Sequence, residues 1–135
     1  MPKYIFFILT ISLLALAGCT ADKGADPLDG SAWELVSMGD QLTLEGTTLT
    51  LSFAEGQAGG NAGCNSYSGT YQVDGDAFTL DEVVSTLMAC VDTAVMDQEQ
   101  AYLAALNEVS SYSLTDGTLV LYRADGSALK FIPQP

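Results

Sequence analysis

The chain contains no histidine, and only 4 of its 135 residues are Lys or Arg. Without an imidazole there is no Ser-His or Cys-His nucleophile pair and no His-ligated metal. Against the 4 basic residues stand 17 Asp and Glu, a formal net charge of −13. Such a chain lacks the basic footprint that phosphates require, which argues against nucleic acid as a partner. It argues equally against electrostatic attraction to an anionic membrane surface. The charge reads as solubility through self-repulsion, or as an acidic docking surface. Cysteine is scarce, with 3 residues at positions 19, 64 and 90. Long apolar runs are also missing. Ile5 to Ala17 is 13 residues, short of the roughly 20 that a membrane-spanning helix needs.

That run has another reading. It follows Met1-Pro2-Lys3 and ends in Leu16-Ala17-Gly18-Cys19. A basic start, a short apolar core and small residues before a cysteine make a secretory signal. The last four residues resemble the bacterial lipobox. That resemblance implies residues 1–18 as a signal peptide, cleavage before Cys19, and thioether lipidation and N-acylation of Cys19. The membrane is then a partner through the anchor at Cys19, because several acyl chains hold firmly. Thr20, rather than Asp, follows the cysteine. This points to the outer membrane, facing the periplasm, if the cell is Gram-negative, and otherwise to the cell envelope. Residues 19–30 are polar, with Gly24, Pro27 and three Asp, and read as a lipidated cysteine and flexible tether. Removing the first 18 residues leaves 117 and, with Lys3 gone, a charge near −14. That length suits one domain with one core.

From Ser31 onward, apolar residues alternate more than they follow helical spacing. Thr48 to Phe53 alternates. Tyr67, Gly69, Tyr71 and Val73 share a strand face. Leu119 to Arg123 and Ala128 to Ile132 close the chain as strands. Asp-Gly at 74–75, 116–117 and 125–126 supplies tight-turn chemistry, and Gly46 serves a similar turn. Asp74-Gly75-Asp76 also suggests a calcium loop, but Phe78 stands at the next ligand position. One segment differs. Asp92-Thr93 can cap a helix, and Ala94 to Glu108 lacks Gly and Pro. Helical projection places Val95, Glu99, Tyr102, Leu103 and Leu106 on one face, with Gln98, Gln100, Ala101 and Asn107 elsewhere. The order of elements predicts an α+β fold. Its mainly antiparallel β-sheet is curved or a partly open barrel, covered by one α-helix.

Several blocks carry a family resemblance. Trp33-Glu34-Leu35 opens the domain. Gly60-Asn61-Ala62-Gly63-Cys64-Asn65-Ser66-Tyr67-Ser68-Gly69-Thr70-Tyr71 follows, then Thr86-Leu87-Met88-Ala89-Cys90. Met96, Glu99, Tyr102 and Leu106 lie in the helical segment, and Leu119-Val120-Leu121 precedes Phe131. This pattern resembles the META/HslJ-like family of small bacterial envelope domains over residues 31–132. The resemblance implies a compact, mainly antiparallel β-domain with a helix and no assigned enzyme activity; no cofactor is expected. It implies loose links to heat stress, antibiotic tolerance and secretion. Members often carry Arg or Lys where this chain has Leu87, so any contact of that basic residue is lost here.

The marked residues have competing readings. An exported chain meets an oxidising compartment, which favours a disulfide between Cys64 and Cys90. Two separate buried thiols, or redox or metal work, remain open. Gly59, Gly60, Asn61, Gly63 and Asn65 accept positive φ. They suit either a tight strand crossing or a backbone N–H nest for an anion. Glu99 falls on an apolar helix face, where an unpaired carboxylate is costly. It is expected to accept bonds from backbone N–H or hydroxyl groups in 59–66 or 85–90, and Asn65 is a second structural polar residue. A general acid or base would need a second acid, a nucleophile or a metal ligand, and none is evident. Trp33, Tyr67 and Tyr71 either line a ligand- or partner-facing surface or pack in the core. No metal site is expected. The reading is a non-enzymatic, lipid-anchored envelope domain that binds a protein partner or supports envelope integrity and stress tolerance. The alternative is a carrier of a small apolar ligand in a partly open barrel.

Overall fold

The computed structural model describes residues 24–135. Antiparallel strands β1 (Ala32–Met38), β2 (Gln41–Leu42), β3 (Thr50–Ala54), β4 (Gln57–Asn61), β5 (Ser66–Asp74) and β6 (Ala77–Ser85) precede the helix α1 (Thr93–Asn107). Strands β7 (Val109–Thr115), β8 (Thr118–Arg123) and β9 (Ala128–Pro133) follow it. Neighbours in the ring run β1-β3-β4-β5-β6-β7-β8-β9. Strand β9 then returns to β1, with Trp33 opposite Pro133 and Leu35 opposite Phe131. The expected partly open barrel is therefore closed. Both edges of β1 are paired, one to β3 and one to β9. That pairing joins the two ends of the domain, which local alternation cannot report. The thinnest seam lies between β6 and β7, where Ala77 opposite Ser111 is the pair recorded. Helix α1 connects these two strands and packs against β6.

Turn chemistry sets the hairpins. Asp116 and Gly117 have φ of 51° and 72°, as a two-residue turn with two left-handed positions requires. Glu55 and Gly56 do the same at 52° and 78° between β3 and β4, a turn with a less familiar sequence. A bulge sets two residues of β6, Glu82 and Val83, against Gly69, with Glu82 at φ 54°. A side chain on Gly69 would press within 2.8 Å of the Asp81 carbonyl, so glycine is required there.

An eight-stranded barrel is just wide enough for its own side chains. Here Leu35, Leu51, Phe53, Tyr67, Tyr71, Phe78, Leu119, Leu121, Leu129 and Phe131 fill it. Phe53 packs edge-on to Tyr71 at 4.7 Å and to Phe78 at 6.0 Å. The helix closes one end. Asp92 caps it, accepting from the Ala94 N–H at 2.8 Å. Tyr102 and Leu106 are wholly buried beneath it. Burying each such side chain contributes about 1.5–3 kcal/mol. Gln98, projected away from this face, is buried too. Its carboxamide accepts from the Leu44 N–H at 2.7 Å and donates to Thr47 at 3.0 Å, so burial strands no polar atom. Among the described residues no helix is long and apolar enough to cross a membrane.

The opposite end is closed by the segment just before β1. Residues 26–30, expected as part of a flexible tether over 19–30, are packed against the barrel. Leu28 is fully buried, and Gly30 donates to the Phe53 carbonyl at 2.8 Å. Asp29 accepts from the Glu55 N–H at 2.7 Å, and Asp26 accepts from the Tyr71 hydroxyl at 2.5 Å. One buried leucine and two acceptor carboxylates dock a stretch whose composition looks like linker.

Candidate functional site: a buried carboxylate and the loop it holds

Beneath α1, three chain segments meet at one carboxylate. Glu99, 5% exposed, comes from the second turn of the helix. Its Oε2 accepts from the backbone N–H of Cys64 at 2.9 Å and of Asn65 at 2.6 Å. Its Oε1 accepts from the Asn65 side-chain amide at 2.5 Å. Asn65, 3% exposed, then passes the link onward. Its Oδ1 accepts from the Thr86 hydroxyl at 2.8 Å and from the Met88 N–H at 2.7 Å. The remaining amide hydrogen reaches the Met88 carbonyl at 3.2 Å. Cys64 and Cys90 are joined by a disulfide, with Cα atoms 6.2 Å apart. A hydrogen-bond chain and a covalent bond thus tie the β4–β5 loop to residues 86–90 and to the helix.

The glycine-rich loop is built for this. Gly63 has φ of 121°, and Asn61 accepts from its N–H at 2.7 Å, which turns the next two N–H groups inward. The loop does form an anion nest, and Glu99 occupies it. Gly59 and Gly60 have the other role considered for them. A side chain on Gly59 would lie 2.6 Å from the Tyr67 carbonyl, and one on Gly60 would overlap Thr50. Both permit close packing of β4 between β3 and β5.

The electrostatics fix the carboxylate's chemistry. Burial alone would raise the Glu99 pKa, but bonds from the Asn65 N–H, the Asn65 side chain and the Cys64 N–H outweigh it and hold it below the usual carboxylate value. A general acid at neutral pH needs the opposite shift. Both oxygens are also occupied. Tyr67 and Tyr102 form a second buried polar pair, their hydroxyls 2.8 Å apart, with Tyr67 donating to the Thr50 carbonyl at 2.7 Å. Burial raises both phenol pKa values, so both stay protonated.

The aromatic surface considered from sequence is not a surface. Trp33, Tyr67 and Tyr71 are 6%, 4% and 3% exposed. The strand pleat turns them into the barrel, where polar tips find partners: the Trp33 indole donates to Ser31 at 2.7 Å, and Tyr71 bonds Asp26. These three side chains join those that fill the barrel interior. Among the described residues, no three Cys, Asp or Glu side chains converge as a metal site would need. Cys19 lies outside the described residues.

One feature went unseen in the sequence. Val84, Leu87, Met88 and Val91 are 65%, 94%, 59% and fully exposed. They sit on the segment that Asn65 and the disulfide hold in place. Large apolar groups normally leave water, so four exposed ones within eight residues stand apart from the rest of the surface. The sequence carried a signal: Val83 to Val91 has no charged residue in a strongly acidic chain.

A closed eight-stranded antiparallel barrel, filled by its own side chains, capped by one helix and pinned by a buried carboxylate, defines a small β-barrel domain class. The META domain family matches residues 26–135, and the chain belongs to that family. The match begins at Asp26, where the packed structure begins, rather than at residue 31. No curated protein sequence matches significantly. Solved structures with the same fold include a protein from Burkholderia xenovorans, 22% identical, covering 99% of each chain with a TM-score of 0.64. A second solution structure is 21% identical, covers 76% of this chain and 89% of its own, and has a TM-score of 0.62. A DUF4847 family protein from Bacteroides vulgatus is 15% identical, covers 81% of this chain and 97% of its own, and has a TM-score of 0.55.

Proposed function

We propose that this chain is a lipid-anchored META domain of the bacterial cell envelope that acts by binding rather than by catalysis. Two independent features support the reading. The Leu16-Ala17-Gly18-Cys19 box follows a basic start and a short apolar core, and supports an anchor at Cys19. The best-buried carboxylate, Glu99, has both oxygens committed to the protein's own Cys64 and Asn65, which supports a structural role. The second observation carries the non-enzymatic half. With Thr20 after the cysteine, the outer membrane facing the periplasm is the proposed site in a Gram-negative cell. There the domain serves envelope integrity or stress tolerance through another envelope protein.

The test is metabolic labelling with a fatty acid in the native host. The wild-type chain takes up label and sediments with membranes, whereas Cys19→Ala does neither. Equal labelling of the two chains would falsify the anchor.

A further inference from the structure

The two ends of the barrel are chemically different. Strand β5 runs from Ser66 at one end to Asp74 at the other, a span of roughly 26 Å at about 3.3 Å per residue. The N-terminal segment docks at the Asp74 end, through Asp26 on Tyr71 and Gly30 on Phe53. The loop of residues 84–91 leaves the Ser66 end, where Thr86 donates to the Ser66 carbonyl at 3.0 Å. Resting on the anchor reading above, this places the exposed loop away from the membrane that holds Cys19. We propose that the 84–91 loop is the docking surface of the protein, and that its occupant is a second envelope protein presenting an apolar pocket with a basic rim.

Each part of that description has a cause. Val84, Leu87, Met88 and Val91 present side chains but little backbone to pair, since Met88 N–H and C=O are both engaged by Asn65. A pocket for side chains fits this better than an added strand. Exposed Asp81, Glu82 and Asp92 flank the loop, and the described domain has only Arg123 and Lys130 as cations. Acidic flanks favour Lys or Arg around the pocket. A second copy would set those carboxylates against their own kind. On the anchor reading residues 1–18 are removed, which leaves seven residues from Cys19 to Asp26, about 24 Å fully extended. The rigid hold on the loop lowers the ordering cost of binding.

The experiment uses the full-length chain in its native envelope, with a photo-crosslinking residue at Leu87 and, as control, at Leu114. Leu114 is 40% exposed and lies toward the end of β7, away from the loop. The expected result is an adduct with another protein from position 87 and none from 114. That adduct falls at least tenfold when Asp81→Lys and Glu82→Lys are added, with the melting temperature unchanged. Adducts from both positions, an adduct of two copies of this chain, an adduct with lipid alone, no adduct, or one indifferent to the charge reversal would each overturn the proposal. Acyl labelling of the same cells separates the two readings. An unlabelled wild-type chain defeats the anchor, whereas a labelled chain without the adduct defeats the surface.

Discussion

Glu99 shows what one side chain contributes here. Its carboxylate satisfies the Cys64 and Asn65 N–H groups and orients the Asn65 amide. Glu99→Ala leaves three donors without an acceptor. We expect a loss of about 1–3 kcal/mol in denaturant unfolding, since a stranded buried donor costs that much. Glu99→Gln costs less, because one oxygen still accepts, although its amide then faces the Asn65 amide. A midpoint unchanged in Glu99→Ala would contradict the structural role. The pH dependence has a defined sign. The folded pKa of Glu99 is depressed, so its contribution is fully present above the unfolded value, about 4.3, and is lost as pH falls through the folded value. The stability gap between wild type and Glu99→Gln should narrow on acidification below about pH 4. A constant gap would contradict it. Tyr102→Phe removes a wholly buried hydroxyl from the Tyr67 and Thr50 cluster, and is expected to cost about 1 kcal/mol.

At the level of elements, the cross-link between Cys64 and Cys90 closes a loop spanning 26 positions. Chain entropy assigns it about 3 kcal/mol. The Cys64→Ala/Cys90→Ala pair should melt earlier by that order, with the barrel intact in circular dichroism. An equal melting point would show that Asn65 and Glu99 hold the loop unaided. The docked N-terminal segment is the other dispensable-looking element. Leu28→Ala should cost about 2–5 kcal/mol, the usual range for a buried leucine. No loss in urea unfolding would return residues 26–30 to the tether. What could be read from the sequence divides along physical lines. Glu99 was visible because helical periodicity needs only its own segment, and Tyr67, Tyr71 and their strand face were visible for the same reason. The Glu55-Gly56 turn was not, because glutamate seldom takes a left-handed conformation. Strand β4, Gln57–Asn61, was not, because its glycines leave no alternation to detect. Burial of Gln98 depended on Leu44 and Thr47, some fifty residues away. Leu28 sat in linker-like composition, and only its distant contacts reveal a plug.

Over the whole molecule, closure by β1 and β9 separates two ends, one carrying the N-terminal segment and one carrying the exposed apolar loop. The aromatic residues that might have lined a mouth instead fill the barrel. Closure itself could not be read locally, since it joins Trp33 to Pro133 across the length of the domain. We propose that in the cell the chain begins at a lipidated Cys19 and carries one internal cross-link. The intact mass of the protein extracted in detergent from its native membranes tests both at once. The predicted mass is that of residues 19–135 with a diacylglyceryl thioether and an N-acyl group, less the two hydrogens of the disulfide. A mass that starts at Met1 or at any residue other than Cys19, or one without acyl groups, would contradict the account.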